Sequence, residues 1–198
     1  MNRVYFDHMA ATPLDPLVLD IMIPYFKDHF GNPQSLHLEG QAAQESIEEA
    51  RIKVAGLINA GENEILFTSS GSESNNFALK GLALSQQSKG SHIVISAVEH
   101  QSVLYSAKFL EKFGFSTSIV PVDKYGVVDP DDVRSASKPE TVLVSVIMAS
   151  SEVGTIQPIR QIAEICRENK VVFHTEAVAV AGTIPADMED LGLAALSL

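Results

Sequence analysis

A chain of 198 residues with 45% hydrophobic and 20% charged side chains suits one globular domain with a short arm, and excludes a disordered segment. The formal net charge of −11 argues against nucleic acid or an anionic membrane surface as a partner. The single Cys166 rules out a disulfide framework within the chain, and no apolar run approaches the roughly 20 residues that span a bilayer, so the expected location is the cytoplasm.

The first residues, Met1 to Asp7, lack the apolar centre of a signal peptide. Residues 1–35 read as an arm that includes a helix over Pro16–Phe30 and a loop at Gly31-Asn-Pro-Gln-Ser35. A long helix follows over Gly40–Asn59, because Ala43, Ile47, Ala50, Val54 and Leu57 recur at helical spacing. Short β-branched runs then alternate with helical ones. Strands are expected over Glu64–Thr68, His92–Ala97, Ser116–Val120, Thr141–Met148, Val171–His174 and Leu193–Leu198. Helices are expected over Asn76–Gln87, Ser102–Lys112, Pro130–Ser135 and Ile159–Lys170, with Cys166 on the apolar face of the last. Tyr125 to Asp129 reads as a turn with an edge segment. Continuous apolar strands such as Val142 to Ile147 suit a sheet buried on both faces, which favours parallel strands covered by helices. No repeat, low-complexity tract or interdomain linker is present.

Polar residues cluster where these strands end. Ser69-Ser70-Gly71-Ser72 is a small-residue turn between an apolar run and a helix, which leaves backbone N–H groups and hydroxyls at the positive end of a helix dipole. Val98-Glu-His-Gln101, Ala149-Ser-Ser-Glu-Val-Gly154 and His174-Thr-Glu-Ala177 follow other strands. In an open α/β sheet, ligands gather beyond the carboxyl ends of the strands, so these groups are expected to share one crevice. His8 and His174 read as structural, and His29, His37 and His92 lack the spacing of a metal site.

From Tyr5 to Leu198, these motifs resemble, in order and spacing, the first half of the large domain of class V aminotransferase-fold enzymes, and the cysteine desulfurases in particular. The resemblance implies the incomplete large-domain half of an α/β, fold type I pyridoxal phosphate-dependent transferase, with a mainly parallel sheet flanked by helices and no C-terminal small domain. It implies that Gly71 and Ser72 cradle the phosphate and that His100 stacks on the ring and moves protons. It also implies that Ser151 faces the phenolic oxygen and Glu176 the ring nitrogen. The substrate would be an amino acid, in this family cysteine, and the sulfur would enter iron–sulfur assembly.

The sequence departs from that family at four points. Ser150-Ser151 stands for Asn-Asn. Glu176 stands for Asp, one methylene or about 1.5 Å longer. Ala179 stands for a Gln that bonds the phenolic oxygen, and the sequence stops before the family's Ser-Gly-His-Lys with its cofactor-binding lysine. The nine lysines present sit in helical or loop patterns, and Cys166 is not the family's persulfide-forming residue. The chain alone is therefore expected to be inactive. A homodimer mate or a complementary C-terminal chain would cover the exposed sheet, and a second, different chain would supply the lysine and the nucleophilic cysteine. The alternative is a non-catalytic scaffold that keeps the fold to bind proteins.

Overall fold

The computed structural model describes residues 3–8 and 10–198, whose contacts divide into two units: the described residues up to 56 with 61–65, and residues 57–60 with 66–198. The first unit carries two helices, α1 (Pro16–Lys27) and most of α2 (Leu38–Ile58). Asp15 caps α1 by accepting the Leu17 N–H at 2.8 Å, and Pro16 sits where its missing N–H costs nothing. None of the α1 residues is buried, although the helix is rich in Leu, Ile, Met and Phe.

In the second unit the elements run α3 (Gly71–Ser85), β1 (His92–Ser96), α4 (Gln101–Leu110), β2 (Ser116–Val120), α5 (Pro130–Ala136) and β3 (Thr141–Ser145). They continue with α6 (Ile159–Glu168), β4 (Val172–Glu176), α7 (Met188–Leu191) and β5 (Ala195–Ser197). The five strands form one sheet in the order β2-β1-β3-β4-β5, and every neighbouring pair is parallel. β1 and β3 are buried along their whole length, as expected for parallel strands covered by helices. Leu79 and Ala83 of α3 and Val103, Ala107 and Leu110 of α4 pack on Ile93, Ile95 and Leu143 of the sheet. On α6, Ile162, Ala163 and Cys166 are buried, and burial pushes the Cys166 thiol up to about 12, which leaves it an inert packing group.

The expected helices and strands match this order with shifted ends, and one expected strand is absent. Residues 65–68 follow a short 3₁₀ turn at Glu62–Glu64 and pair with no strand among the described residues. An apolar extended run becomes a strand only where a neighbour offers a ladder. α3 begins at Gly71, five residues before the expected Asn76, because Ser70 caps it by accepting the Glu73 N–H at 3.2 Å. Beyond β3 the chain stays extended, with Val146 and Met148 N–H donating to the His174 and Glu176 carbonyls.

Two imidazoles lie inside the sheet, both fully buried. His92 on β1 bonds Thr141 Oγ1 on β3 at 2.7 Å and Ser118 Oγ on β2 at 2.8 Å. His174 on β4 bonds Ser145 Oγ on β3 at 2.9 Å and Ser197 Oγ on β5 at 3.0 Å. Side-chain bonds thus connect all five strands. Burial depresses the His174 pKa from 6.5 to about 3, and lowers that of His92 in the same direction. The unfolded chain therefore takes up a proton below pH 6.5 that folded His174 refuses until about pH 3. Folding stability should fall as pH drops through that window, by about 1.4 kcal/mol per pH unit for one such group. Urea unfolding at a series of pH values checks this: His174→Gln should flatten the acid slope, and an unchanged slope would refute the assignment.

Candidate functional site

Because all five strands are parallel, their carboxyl ends lie on one edge, and the polar motifs collect there. β1 leads through Ala97 to Glu99 and then His100, which is the N-cap of α4. β4 ends at Glu176, and the extension of β3 runs alongside it to Met148, just before Ser150 and the turn that starts at Ser151. Gly71, at the start of α3, touches the loop after β4: a Cβ built on it would lie 2.4 Å from Val178 Cγ2. Only glycine allows that approach without displacing Val178.

The start of α3 has the character expected of an anion cradle. Glu73 turns its carboxylate back to accept the Ser69 N–H at 2.6 Å and the Ser69 hydroxyl at 2.7 Å, which lowers its own pKa. The Ser69 side is thus already served by an internal carboxylate. The N–H groups of Gly71 and Ser72, in the first turn, have no intrahelical carbonyl to meet.

Glu176 is only 4% exposed. One oxygen accepts the Val178 N–H at 2.6 Å, so the carboxylate is folded back on its own chain. Burial raises its pKa, while the Val178 N–H and the nearby His100 ring lower it. His100 itself is exposed. The structure therefore brings His100 and Glu176 into one electrostatic neighbourhood and Gly71 against the same loop. Ser151 is exposed, at the end of the β3 extension, three residues past the Met148 N–H that bonds Glu176. Among the described residues no group of three or more His, Cys, Asp or Glu could hold a metal ion.

Glu99 was not singled out by sequence. It is 7% exposed, with one oxygen accepting the Ser96 hydroxyl at 2.6 Å and the Ile147 N–H at 2.7 Å. The other oxygen is buried without a partner. These bonds tie the end of β1 to the extension of β3 and so anchor the turn that presents His100. Burial pushes the carboxyl up to about 8, against its two hydrogen bonds and with help from the charge of Glu176. Its neighbour His100 and the serine at position 96 were visible in sequence, but burial of the carboxyl is a tertiary property.

At neutral pH, Glu99 is thus mostly a neutral acid. The folded state holds a proton between pH 4.5 and about 8 that the unfolded chain has released, so this group withdraws stability as pH rises through that range. Glu99→Gln should keep the fold at pH 7 and flatten the alkaline slope. Glu99→Ala should lose about 1–3 kcal/mol, because the Ile147 N–H and Ser96 hydroxyl lose their acceptor. Denaturant midpoints at pH 6, 7 and 9 check both, and a Gln variant as damaged as the Ala variant would contradict a neutral Glu99.

Comparison with known proteins matches the chain to the aminotransferase class-V family over residues 4–198. It is 46% identical over its full length to cysteine desulfurase IscS of Methanosarcina thermophila, and 47% identical to the protein of that name from Dictyoglomus turgidum. The match covers 49% and 50% of those proteins, so the chain spans about half the length of the curated relatives it matches. Among solved structures, a NifS-like protein superposes with a TM-score of 0.94 at 38% identity, over 99% of this chain and 55% of the other. The structure described as SspA in complex with cysteine gives a TM-score of 0.92 at 35% identity, over 98% of this chain and 56% of the other. The match corresponds to the N-terminal half of cysteine desulfurases, and the chain belongs to the aminotransferase class-V family.

Proposed function

We propose that this chain is the cofactor-cradling part of a cysteine desulfurase-type enzyme, which mobilises sulfur from cysteine with pyridoxal phosphate as cofactor. The observation that carries this reading is the open N–H end of α3, set against the loop that follows Glu176, on the strand edge that also presents His100. The donor set suits the cofactor: two backbone N–H groups and a hydroxyl for a phosphate, a buried carboxyl for a pyridine nitrogen, and an imidazole beside it. A Cβ at Gly71 would fill the approach between the cradle and Val178.

Gly71 and Ser72 would hold the phosphate, His100 would lie against the ring and Ser151 would reach the phenolic oxygen. Pyridoxal phosphate, when bound, supplies an electron sink for negative charge that develops on the amino acid. Glu176 would support that chemistry by keeping a proton on the pyridine nitrogen, with one oxygen held by the Val178 N–H and the other left to face the ring. We place the cofactor-binding lysine and the nucleophilic cysteine in the other half of the relatives' length, whether it continues this polypeptide or arrives as a separate chain. A homodimer in the cytoplasm that feeds iron–sulfur assembly is the setting this family reading favours.

One observation favours a second reading, a scaffold that keeps the fold without the chemistry. Glu176 is held by Val178, and position 179 is an alanine that can donate no side-chain hydrogen bond. Co-expression with the C-terminal half of the Methanosarcina relative separates the two. The enzyme reading predicts co-elution on size exclusion and sulfide release from cysteine when pyridoxal phosphate is added. Co-elution with no sulfide, or a well-folded chain that ignores the other half, would contradict the enzyme reading and leave the scaffold as the better account.

A further inference from the structure

The side of His100 that faces the protein is fully committed. Its Nδ1 accepts the Ser102 N–H at 3.1 Å, the capping bond of α4, and lies 2.7 Å from the Ser102 hydroxyl oxygen. A backbone N–H can only donate, so Nδ1 must bring its lone pair, and the neutral ring then carries its proton on Nε2. With the lone pair on Nδ1, the Ser102 hydroxyl also donates to it. The oxygen of that hydroxyl in turn accepts from Asn75 Nδ2 at 2.9 Å. Asn75 and Ser102 are 1% and 8% exposed, so water does not compete freely for these bonds.

The tautomer of His100 does not depend on how the Asn75 amide is assigned, although the direction of the Ser102 hydroxyl does. Turned over, its carbonyl would draw the Ser102 proton away from Nδ1 and leave a buried NH₂ group with no acceptor there. As it stands, only Asn75 Oδ1 is without a partner. The backbone N–H of Ser102 sets the polarity in either case.

We propose that Ser102, supported by Asn75, is a positioning residue that locks His100 as the Nε2–H tautomer. The ring then offers the crevice a hydrogen-bond donor and no free lone pair. The sequence expectation for His100 was a group that stacks on the ring and moves protons. Locked in this way, the neutral ring can donate from Nε2, but it can take up a proton only at Nδ1, where the capping bond from the Ser102 N–H must break and the hydroxyl must turn away. A ligand group placed against His100 is therefore one that accepts a hydrogen bond, such as a carboxylate or phenolate oxygen. That ligand-facing role rests on the functional reading above, whereas the tautomer itself does not.

Nitrogen-15 spectra of the histidine-labelled chain, without ligand, test this, with His100→Gln used to assign the resonances. The expected result is a directly protonated Nε2 and an Nδ1 in its unprotonated form, shifted upfield by hydrogen bonding. Ser102→Ala should move Nδ1 downfield toward the value of an unbonded nitrogen, and Ser102→Thr, which keeps the hydroxyl, should hold it near the wild-type position. If the alanine variant does not fold, Ser102→Cys, a weaker donor of similar size, gives the same comparison. A proton found on Nδ1 in the wild-type chain would overturn the proposal, as would an Nδ1 resonance indifferent to loss of the hydroxyl. Failure of the chain to bind pyridoxal phosphate would remove the functional reading and leave these spectra unaffected.

Discussion

Two buried imidazoles hold five parallel strands to one another, and the rest of the candidate site depends on that alignment. His92 joins β2, β1 and β3 through Ser118 and Thr141, and His174 joins β3, β4 and β5 through Ser145 and Ser197. Burial of the strands already constrains their register, and polar side chains inside the sheet constrain it further. A polar group inside such a sheet costs several kcal/mol if it lacks partners, so each imidazole disfavours any register that misplaces its hydroxyls. A neutral His can bridge two hydroxyls because one ring nitrogen donates and the other accepts. The same burial that makes the bridges selective makes them sensitive to acid.

With the strands aligned, their carboxyl ends form a shared edge whose electrostatics are set by burial more than by net charge. Two carboxyls, Glu99 and Glu176, are both less than 10% exposed, and both have raised pKa values through desolvation. They differ in their tasks. Glu99 spends its hydrogen bonds on holding the β1 and β3 ends together. Glu176 spends one on its own loop and keeps the His100 ring in electrostatic range. His100 itself is held from behind by Ser102 and Asn75. The edge thus carries groups whose orientations are fixed by hydrogen bonds to their neighbours, which is a form of preorganisation: little has to reorient when charge appears nearby.

Much of this was legible in the sequence, for identifiable reasons. The strands β1 to β4 show as β-branched or apolar runs, and the buried faces of α3, α4 and α6 show as helical periodicity. Gly71, Ser72, His100, Ser151 and Glu176 were visible because each follows an apolar run in a motif of small or polar residues. What was missed depends on tertiary surroundings. Residues 65–68 have strand-like composition but no partner strand, and the four-residue α7 is too short to show a period. The start of α3 read as loop because Gly and Ser are turn formers, yet the Ser70 cap makes them helical. Glu99 looked like an ordinary acidic residue before a helix, since nothing local reveals that it is buried against the Ile147 N–H. Asn75 and Ser102 are 27 residues apart and meet only once α3 packs on α4.

The central claim is that this strand edge holds pyridoxal phosphate with its phosphate on the first turn of α3. Titration of the labelled chain with pyridoxal phosphate, followed by amide resonances, tests it most directly. The account predicts that the Gly71 and Ser72 amides move first, with Val178 and His100 close behind. Gly71→Ala should abolish the response, because its Cβ meets Val178 at 2.4 Å, while Gly71→Ala combined with Val178→Ala should restore part of it. Amide shifts scattered over surface lysines, or none at Gly71 and Ser72 at millimolar ligand, would contradict the account.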